Sequence, residues 1–246
     1  MLRRNPFDEP FLGVPCYQLV PPIESSDLSA LAMVRSKRDI FAHAKVDASD
    51  LEAVNRLEAL GFCRICMQLV FRLCLENPST AGGDAQIDDQ LELDPADLRA
   101  HAAQLETSRI RQDPLIATEA AINFYIAWIR NSTRGGKRVA SIDRNFLTFE
   151  DTAGVRLIDL LSVVDKRVGI ARRLLATIVE DARKKGLREV KVVTDRDNIA
   201  AGHAYSAVGF VRERFLVILH LHSARQLCSD HVTTNLAPFD KYPGDM

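Results

Sequence analysis

The stretch Ala59-Leu60-Gly61-Phe62-Cys63-Arg64 returns 148 positions later as Ala207-Val208-Gly209-Phe210-Val211-Arg212. Each copy closes a segment of helical spacing and opens a long apolar run, and a glycine just past the last helical residue is a common stop signal. The same offset pairs Ala53 with Ala201, and a strand ending at Val46 with one ending at Thr194. A chain with this pattern is predicted to contain a duplicated half-domain.

Between the copies, residues 77–86 (Asn-Pro-Ser-Thr-Ala-Gly-Gly-Asp-Ala-Gln) are rich in turn formers and lack a hydrophobic period, so they read as a linker. The expected division is an N-terminal part over 1–76, a linker over 77–90, a main domain over 91–222 and a tail over 223–246. Pro238, Pro243 and Gly244 point to a loosely packed end for that tail. Period and punctuation predict strands at 16–20, 40–46 and 62–73, with helices at 26–35 and 49–60 between them. After the linker they predict a strand at 91–93, a helix starting at Pro95 with Asp94 as its cap, and a helix over 118–131 stopped by Gly135-Gly136. Strands at 138–142, 145–149 and 155–164 follow, then a helix over 170–185, a strand over 189–194, a helix over 198–208 and a strand over 211–222.

With 47% hydrophobic and 26% charged residues in 246, the chain can bury a sizeable core. A formal net charge of −1 gives no global positive field for nucleic acid or an anionic membrane, so any anion has to be held locally. No apolar run of about 18 residues occurs and the first residues lack a signal-peptide core, so a cytoplasmic protein is expected. Five cysteines, an odd number, argue against a disulfide framework. Cys63 and Cys66 lie three apart on one predicted strand, where they should point to opposite faces, and read as structural thiols. His220 and His222 share one strand face, but no third ligand accompanies them at a sensible spacing, so no metal is expected. Asn131-Ser132-Thr133 matches a glycosylation acceptor, which counts for little without a secretory signal.

Chemistry concentrates in the second half. The strand ending near Val164 runs through Asp165-Lys166-Arg167-Val168 into Gly169-Ile170-Ala171-Arg172-Arg173, a turn between strand and helix flanked by four cations. A glycine there lets backbone approach a ligand, and the first helical amides, unpartnered within the helix, can donate to a pyrophosphate. One strand later comes Asn198-x-x-Ala201-x-x-x-Tyr205-x-x-x-Gly209-Phe210, with Ala201, Tyr205 and Gly209 recurring along one helix face.

This pair of motifs, in this order and separated by one strand, resembles the GNAT superfamily of acyltransferases. There the first motif reads Gln/Arg-x-x-Gly-x-Gly/Ala, matched here as Lys166-x-x-Gly169-x-Ala171, with lysine at the first position, and the second motif carries a tyrosine near the cofactor thiol. The resemblance implies an α/β (α+β) GNAT acyltransferase fold with a central mixed, mostly antiparallel sheet, preceded by a partial GNAT-like N-terminal domain. It implies acetyl-CoA as cofactor, bound by Leu161, Ser162, Val163, Lys166, Arg167, Val168, Gly169, Ile170, Ala171, Arg172 and Asn198. Tyr205 would protonate the departing thiolate. The contrast with Leu57, its counterpart in the first copy, predicts that only the second half catalyses.

Three further stretches resemble the bacterial dTDP-4-amino-4,6-dideoxygalactose (dTDP-fucosamine) N-acetyltransferases: Asn5-Pro6-Phe7-x-x-x-Phe11-Leu12-Gly13-Val14, Ala44-Lys45-Val46 followed by Leu60-Gly61-Phe62, and Ser108-Arg109-Ile110-Arg111-Gln112-Asp113 leading into Phe124-Tyr125-x-x-Trp128-Ile129. That likeness implies a nucleotide-linked amino sugar as substrate, surface-polysaccharide biosynthesis as setting, and a homodimer. Phe7, Phe11, Arg109, Arg111, Asp113 and Tyr125 are the expected acceptor-binding residues. For the general base the sequence offers Asp159, Glu150 or a water chain. Two other readings remain open: a GNAT enzyme acting on a peptide or other small amine, and a non-catalytic CoA-binding module.

Overall fold

The computed structural model describes residues 1–76, 83–165 and 169–223. The first half forms β1 (Leu2–Arg4), α1 (Glu9–Leu12), β2 (Cys16–Leu19), α2 (Ser25–Arg35), β3 (Phe41–Asp47), α3 (Leu51–Ala59) and β4 (Cys63–Cys74). The second forms β5 (Gln86–Asp88), α4 (Pro95–Ala103), α5 (Thr118–Arg134), β6 (Arg138–Ile142), β7 (Asn145–Thr152), β8 (Val155–Ser162), α6 (Ile170–Lys184), β9 (Glu189–Asp195), α7 (Ile199–Val208) and β10 (Val211–His222). Local chemistry explains many of the ends. Asp94, Asp50 and Asn198 each accept a backbone N–H of the first turn of the helix that follows. Gly61 and Gly209, with φ of +91° and +99°, end α3 and α7 in the left-handed conformation that glycine adopts most readily. One expected strand is displaced: 91–93 is irregular, and Gln86–Asp88, inside the stretch read as linker, pairs with β6 instead. No helix among the described residues is long and apolar enough to cross a membrane.

All the strands join one sheet in the order β1-β2-β3-β10-β4-β9-β8-β7-β6-β5. The two halves exchange their last strands, so that β10 lies between β3 and β4, and β4 between β10 and β9. The registers repeat at the offset seen in the sequence. Gln68 lies opposite Leu216, its own counterpart, at the centre of the β4–β10 ladder. Leu69↔Phe215 is mirrored by Met67↔Val217, and Val70↔Arg214 by Cys66↔Ile218. Asp195↔Gln68 and Thr194↔Leu69 between β9 and β4 return as Asp47↔Leu216 and Val46↔Val217 between β3 and β10. Even the irregularities match, since the bulge that skips Ile65 in β4 has its counterpart at Glu213 in β10. A pseudo-twofold axis therefore passes through the middle of the sheet.

Bulges decide which face a side chain serves, because one extra residue reverses the alternation beyond it. The one at Ile65 places Cys63 opposite His220 and Cys66 opposite Ile218, so both thiols lie on one face of the sheet; the expectation of opposite faces, counted without the bulge, is corrected. A second falls in β8, where Ile158 pairs with Phe149 and Leu160 with Thr148, leaving Asp159 unpaired. Ile158 then packs under α6 and Leu160 under α5, although they are two residues apart. Arg156, fully buried, ties this region together: it meets Asp151 and Asp181 at 2.7 Å, donates to the Ile178 carbonyl, and stacks over Phe149.

Candidate active site

β8 and β9 run parallel and pair over only four residues, Val155↔Glu189 to Ile158↔Val192. Beyond that point, at the Asp159 bulge, they part: β8 continues to Ser162 and β9 to Asp195 with no ladder between them. Two strand edges thus face each other with unused backbone donors and acceptors, an arrangement that can accept an extended ligand as if it were another strand. A cavity of about 550 Å³ opens at this gap, with Leu160, Leu161, Thr194, Asp195 and Asn198 on its wall.

Beyond the end of β8, α6 begins at Gly169, φ +97°, where a Cβ would meet nothing within 4 Å. The first turn of α6 has no side-chain cap and no acidic residue. Among the described residues no side chain takes its leading amides, those of Ile170, Ala171 and Arg172 included, and such amides suit an anion. Arg172 is exposed, whereas the side chain of Ile170 is core. Asn145 braces the approach by accepting the backbone N–H groups of Val164 and Asp165. Lys166, Arg167 and Val168 lie outside the described residues. Of the other residues expected to bind cofactor, Leu161 and Asn198 reach the cavity. The Ser162 hydroxyl is 2.7 Å from His101 Nδ1, away from the gap, and Val163 packs against the core, so these two can contribute backbone only.

Tyr205 lies on α7 against Phe71 and Phe210, 3% exposed, and reaches the floor of the cavity. Burial pushes its phenol well above the usual tyrosine range. It stays protonated at every physiological pH and can donate a hydrogen bond to a thiolate, while outright proton transfer becomes harder than for an exposed phenol.

The opposite wall is built from the stretches that looked like acceptor determinants. Phe7, Arg109 and Tyr125 line the cavity, and Phe11 supports Phe7 and Phe124 from behind. Arg109 stands over the Phe124 ring, 5.7 Å from its centroid, with Nη2 3.5 Å from Asp8. Arg111 and Asp113 are not on the wall. The Arg111 guanidinium is 3.5 Å from the Thr118 carbonyl. Asp113 is buried, accepting from His220 Nδ1 at 2.7 Å and His222 Nε2 at 2.8 Å on one carboxylate oxygen. It is the third donor of the histidine cluster that sequence spacing could not show, being more than 100 residues upstream. Burial works to raise the Asp113 pKa, but the two histidine bonds hold it below the usual range, and burial pushes His220 down to about 4.

Several wall residues were not among the site residues expected from the sequence. Asp8, His43, Lys45, Gln68 and Asp195 all face the cavity, and three of them come from β3 and β4 of the first half. Burial raises Asp8 and Asp195 above the usual carboxylate range and lowers Lys45 and His43. Gln68 Oε1 and Arg109 Nη1 are buried without a hydrogen-bond partner among the described residues, and such atoms call for a polar ligand. Lys45 belongs to the Ala44-Lys45-Val46 stretch and Asp8 follows Phe7, but neither residue type by itself pointed to a ligand.

Residues 166–210, the segment from the α6 turn to the end of α7, match the model of the acetyltransferase (GNAT) family. A GCN5-related N-acetyltransferase from Sphaerobacter thermophilus superposes with a TM-score of 0.55 at 14% identity, covering 90% of this chain and 76% of that one. A tandem GNAT protein from the clavulanic acid biosynthesis pathway does so with a TM-score of 0.51 at 18% identity, covering 86% and 76%. No curated protein sequence matches the chain. At these identities the likeness establishes the fold, which is the GNAT fold with its mixed sheet.

Proposed function

We propose that this chain of GNAT fold is an acetyltransferase that moves acetyl from acetyl-CoA to a primary amine. The observation that carries this reading is the parted pair β8 and β9, with the uncapped α6 turn at one side and the Tyr205 phenol at the other. The gap fits an extended pantetheine arm, and the open cradle at Gly169 fits a diphosphate. Acetyl-CoA, when bound, supplies a thioester whose thiolate can leave. The residues of the chain do the rest: free amides along β8 hold the carbonyl oxygen, Tyr205 donates to the sulfur, and the buried wall excludes water from the thioester. Titration calorimetry with acetyl-CoA is expected to show binding that weakens when Arg172 is replaced by alanine. A chain that binds neither acetyl-CoA nor CoA does not have this function.

For the acceptor we propose a nucleotide-linked amino sugar, the 4-amine of a dTDP-4-amino-4,6-dideoxyhexose. In its support, residues from the three stretches that suggested it (Asn5 and Phe7; Lys45; Ser108, Arg109, Phe124, Tyr125 and Trp128) line one cavity, giving aromatic faces for a ring and a guanidinium for phosphate. One observation favours a second acceptor class. Arg109 faces Asp8, and Lys45 interacts with Asp195, so the cavity has no surplus positive charge for a diphosphate and suits a compact amine that carries its own acid group. Thiol release in the presence of dTDP-amino sugars, against amino acids and short peptides, decides between the two; heat on titrating dTDP alone supports the first.

A further inference from the structure

We propose that Asp195 is the catalytic base that takes the proton from the acceptor amine, and that Gln68 and Lys45, from the first half of the chain, are the positioning residues that keep it poised. This rests on the acetyl-transfer reading above and supplies the base which that reading lacks.

Of the two carboxylates that the sequence offered, Asp159 lines the cavity but is already held by neighbours, and Glu150 lies off it. Asp159, on the bulge, takes Lys137 Nζ at 2.7 Å on one oxygen and Ser132 Oγ at 2.5 Å on the other, with Thr148 Oγ1 at 3.5 Å. Both of its oxygens are therefore already engaged by neighbouring side chains. Glu150 is exposed on β7 and is not on the cavity wall. Asp8 does reach the cavity, but Arg109 at 3.5 Å makes it a partner for that guanidinium.

Asp195 is placed differently. It is the last residue of β9, past the point where that strand leaves β8, and it lines the cavity. Its Oδ1 accepts from Gln68 Nε2 at 2.9 Å and has the Cys66 thiol at 3.8 Å. The groups that face it are Gln68 and Cys66 from β4, Lys45 from β3, Arg109 from the segment before α5 and Tyr125 from α5. Gln68, held in place as the cross-strand neighbour of Asp195, leaves its own Oε1 buried and unpartnered. An ammonium group between Gln68 Oε1 and Asp195 would satisfy both.

Pleat parity puts this base and Tyr205 on opposite sides of the sheet. Tyr205 packs on Phe71, which lies opposite Val192, whereas Asp195 is three residues further along β9 and therefore faces the other way. The parted strands form the opening between the two faces, so an amine can approach from the Asp195 side while sulfur leaves on the Tyr205 side. The protons balance. One passes from the ammonium to the Asp195 carboxylate; the freed nitrogen forms a bond to the acetyl carbon; the carbon–sulfur bond breaks with its electron pair on sulfur. The nitrogen loses a second proton and sulfur gains one, with Tyr205 as hydrogen-bond donor on that side. Asp195 then returns its proton to solvent through the mouth of the cavity. Burial raises the proton affinity of Asp195, and Gln68 and Lys45 restrain that rise, a direction that favours a base over an ordinary exposed carboxylate.

The test uses the full chain with acetyl-CoA and dTDP-4-amino-4,6-dideoxygalactose or whichever panel amine is turned over. Asp195→Asn is expected to lower kcat/KM on the order of 10²-fold or more and to remove the acidic limb of its pH profile, with acetyl-CoA affinity unchanged. Lys45→Met and Gln68→Leu, each removing a group that favours the charged carboxylate, are expected to move that limb to higher pH, a readout that a merely structural role would leave in place. Carbon-13 NMR of labelled aspartate carboxyls follows Asp195 without any acceptor, the resonance being assigned by its loss in Asp195→Asn. An Asp195 that titrates like an ordinary exposed aspartate and ignores Lys45→Met overturns the proposal, as does an Asp195→Asn enzyme with wild-type rate and pH profile. Failure to bind acetyl-CoA would instead remove the acetyl-transfer reading, and the carboxyl titration would still decide whether Asp195 is poised as a base.

Discussion

The two halves of the sheet share a scaffold and differ where a ligand would touch it. In the second half α6 starts at a bare glycine with no carboxylate in its first turn. In the first half α2 starts at Glu24 and carries a carboxylate in its first turn: Asp27 takes the N–H of Glu24, the N–H of Leu2 and the terminal ammonium. A carboxylate in the first turn of a helix repels a phosphate there. β8 runs on past its four pairs with β9, while β2 makes four pairs with β3 and stops, giving way to Val20-Pro21-Pro22. Where α7 places Tyr205 over the gap, α3 places Leu57, fully buried. One half is thus open to a ligand and the other closed. The closed half serves the open one, by lending β4 as the neighbour of β9 and by sending Lys45 and Gln68 into its cavity.

The largest effect expected from breaking this contrast is at Tyr205. Tyr205→Phe should lower kcat by roughly 10²-fold with acetyl-CoA affinity retained, measured by thiol release and calorimetry; unchanged turnover would take the phenol out of the chemistry. The seam between the halves should be acid-sensitive. His220 is held neutral with a pKa of about 4, so between about pH 6.5 and 4 the unfolded chain binds a proton that the folded chain does not. Stability is then fully present above pH 6.5 and falls as the pH drops towards 4, by on the order of 2–3 kcal/mol. His43, also held neutral by burial, adds in the same direction, and Asp113, held below its usual range, extends the loss to lower pH. Urea unfolding at pH 7.5 and 5 measures the slope, which His220→Gln should flatten.

Smaller effects follow at the glycines. Gly169→Ala puts a side chain at φ +97° with open space around it, a backbone cost of about 1–2 kcal/mol, and should weaken acetyl-CoA by roughly 10-fold as the cradle shifts. Gly61→Ala and Gly209→Ala should each lower stability by about 1 kcal/mol, equally in the two halves, because these stops belong to the shared scaffold. A marked inequality in thermal melting would show that the symmetry of the registers does not extend to energetics.

Much of the scaffold is legible in local chemistry. Asp94 and Asn198 announce helix starts by the side-chain oxygen they offer, Gly209 announces a stop by tolerating positive φ, and Gly169 announces an open turn. The offset of 148 carries over into strand registers pair by pair. The acceptor side is less legible. Phe7, Arg109 and Tyr125 meet in the cavity, but Arg111 and Asp113, from the same stretch as Arg109, turn elsewhere, since neighbours in an irregular segment need not share a direction.

The residues by themselves determined the repeated helix–glycine–strand unit, the uncapped turn ahead of α6, and the helix face that carries Tyr205, because each depends on a few adjacent side chains and the backbone between them. Tertiary structure alone decided the exchange of β4 and β10, the bulges at Ile65 and Asp159, and the meeting of Lys45, Gln68 and Asp195. The reason is the two-residue period of a strand. Which face a side chain takes is counted from the register, a single unpaired residue reverses the count, and register is set by a partner strand far away in the chain.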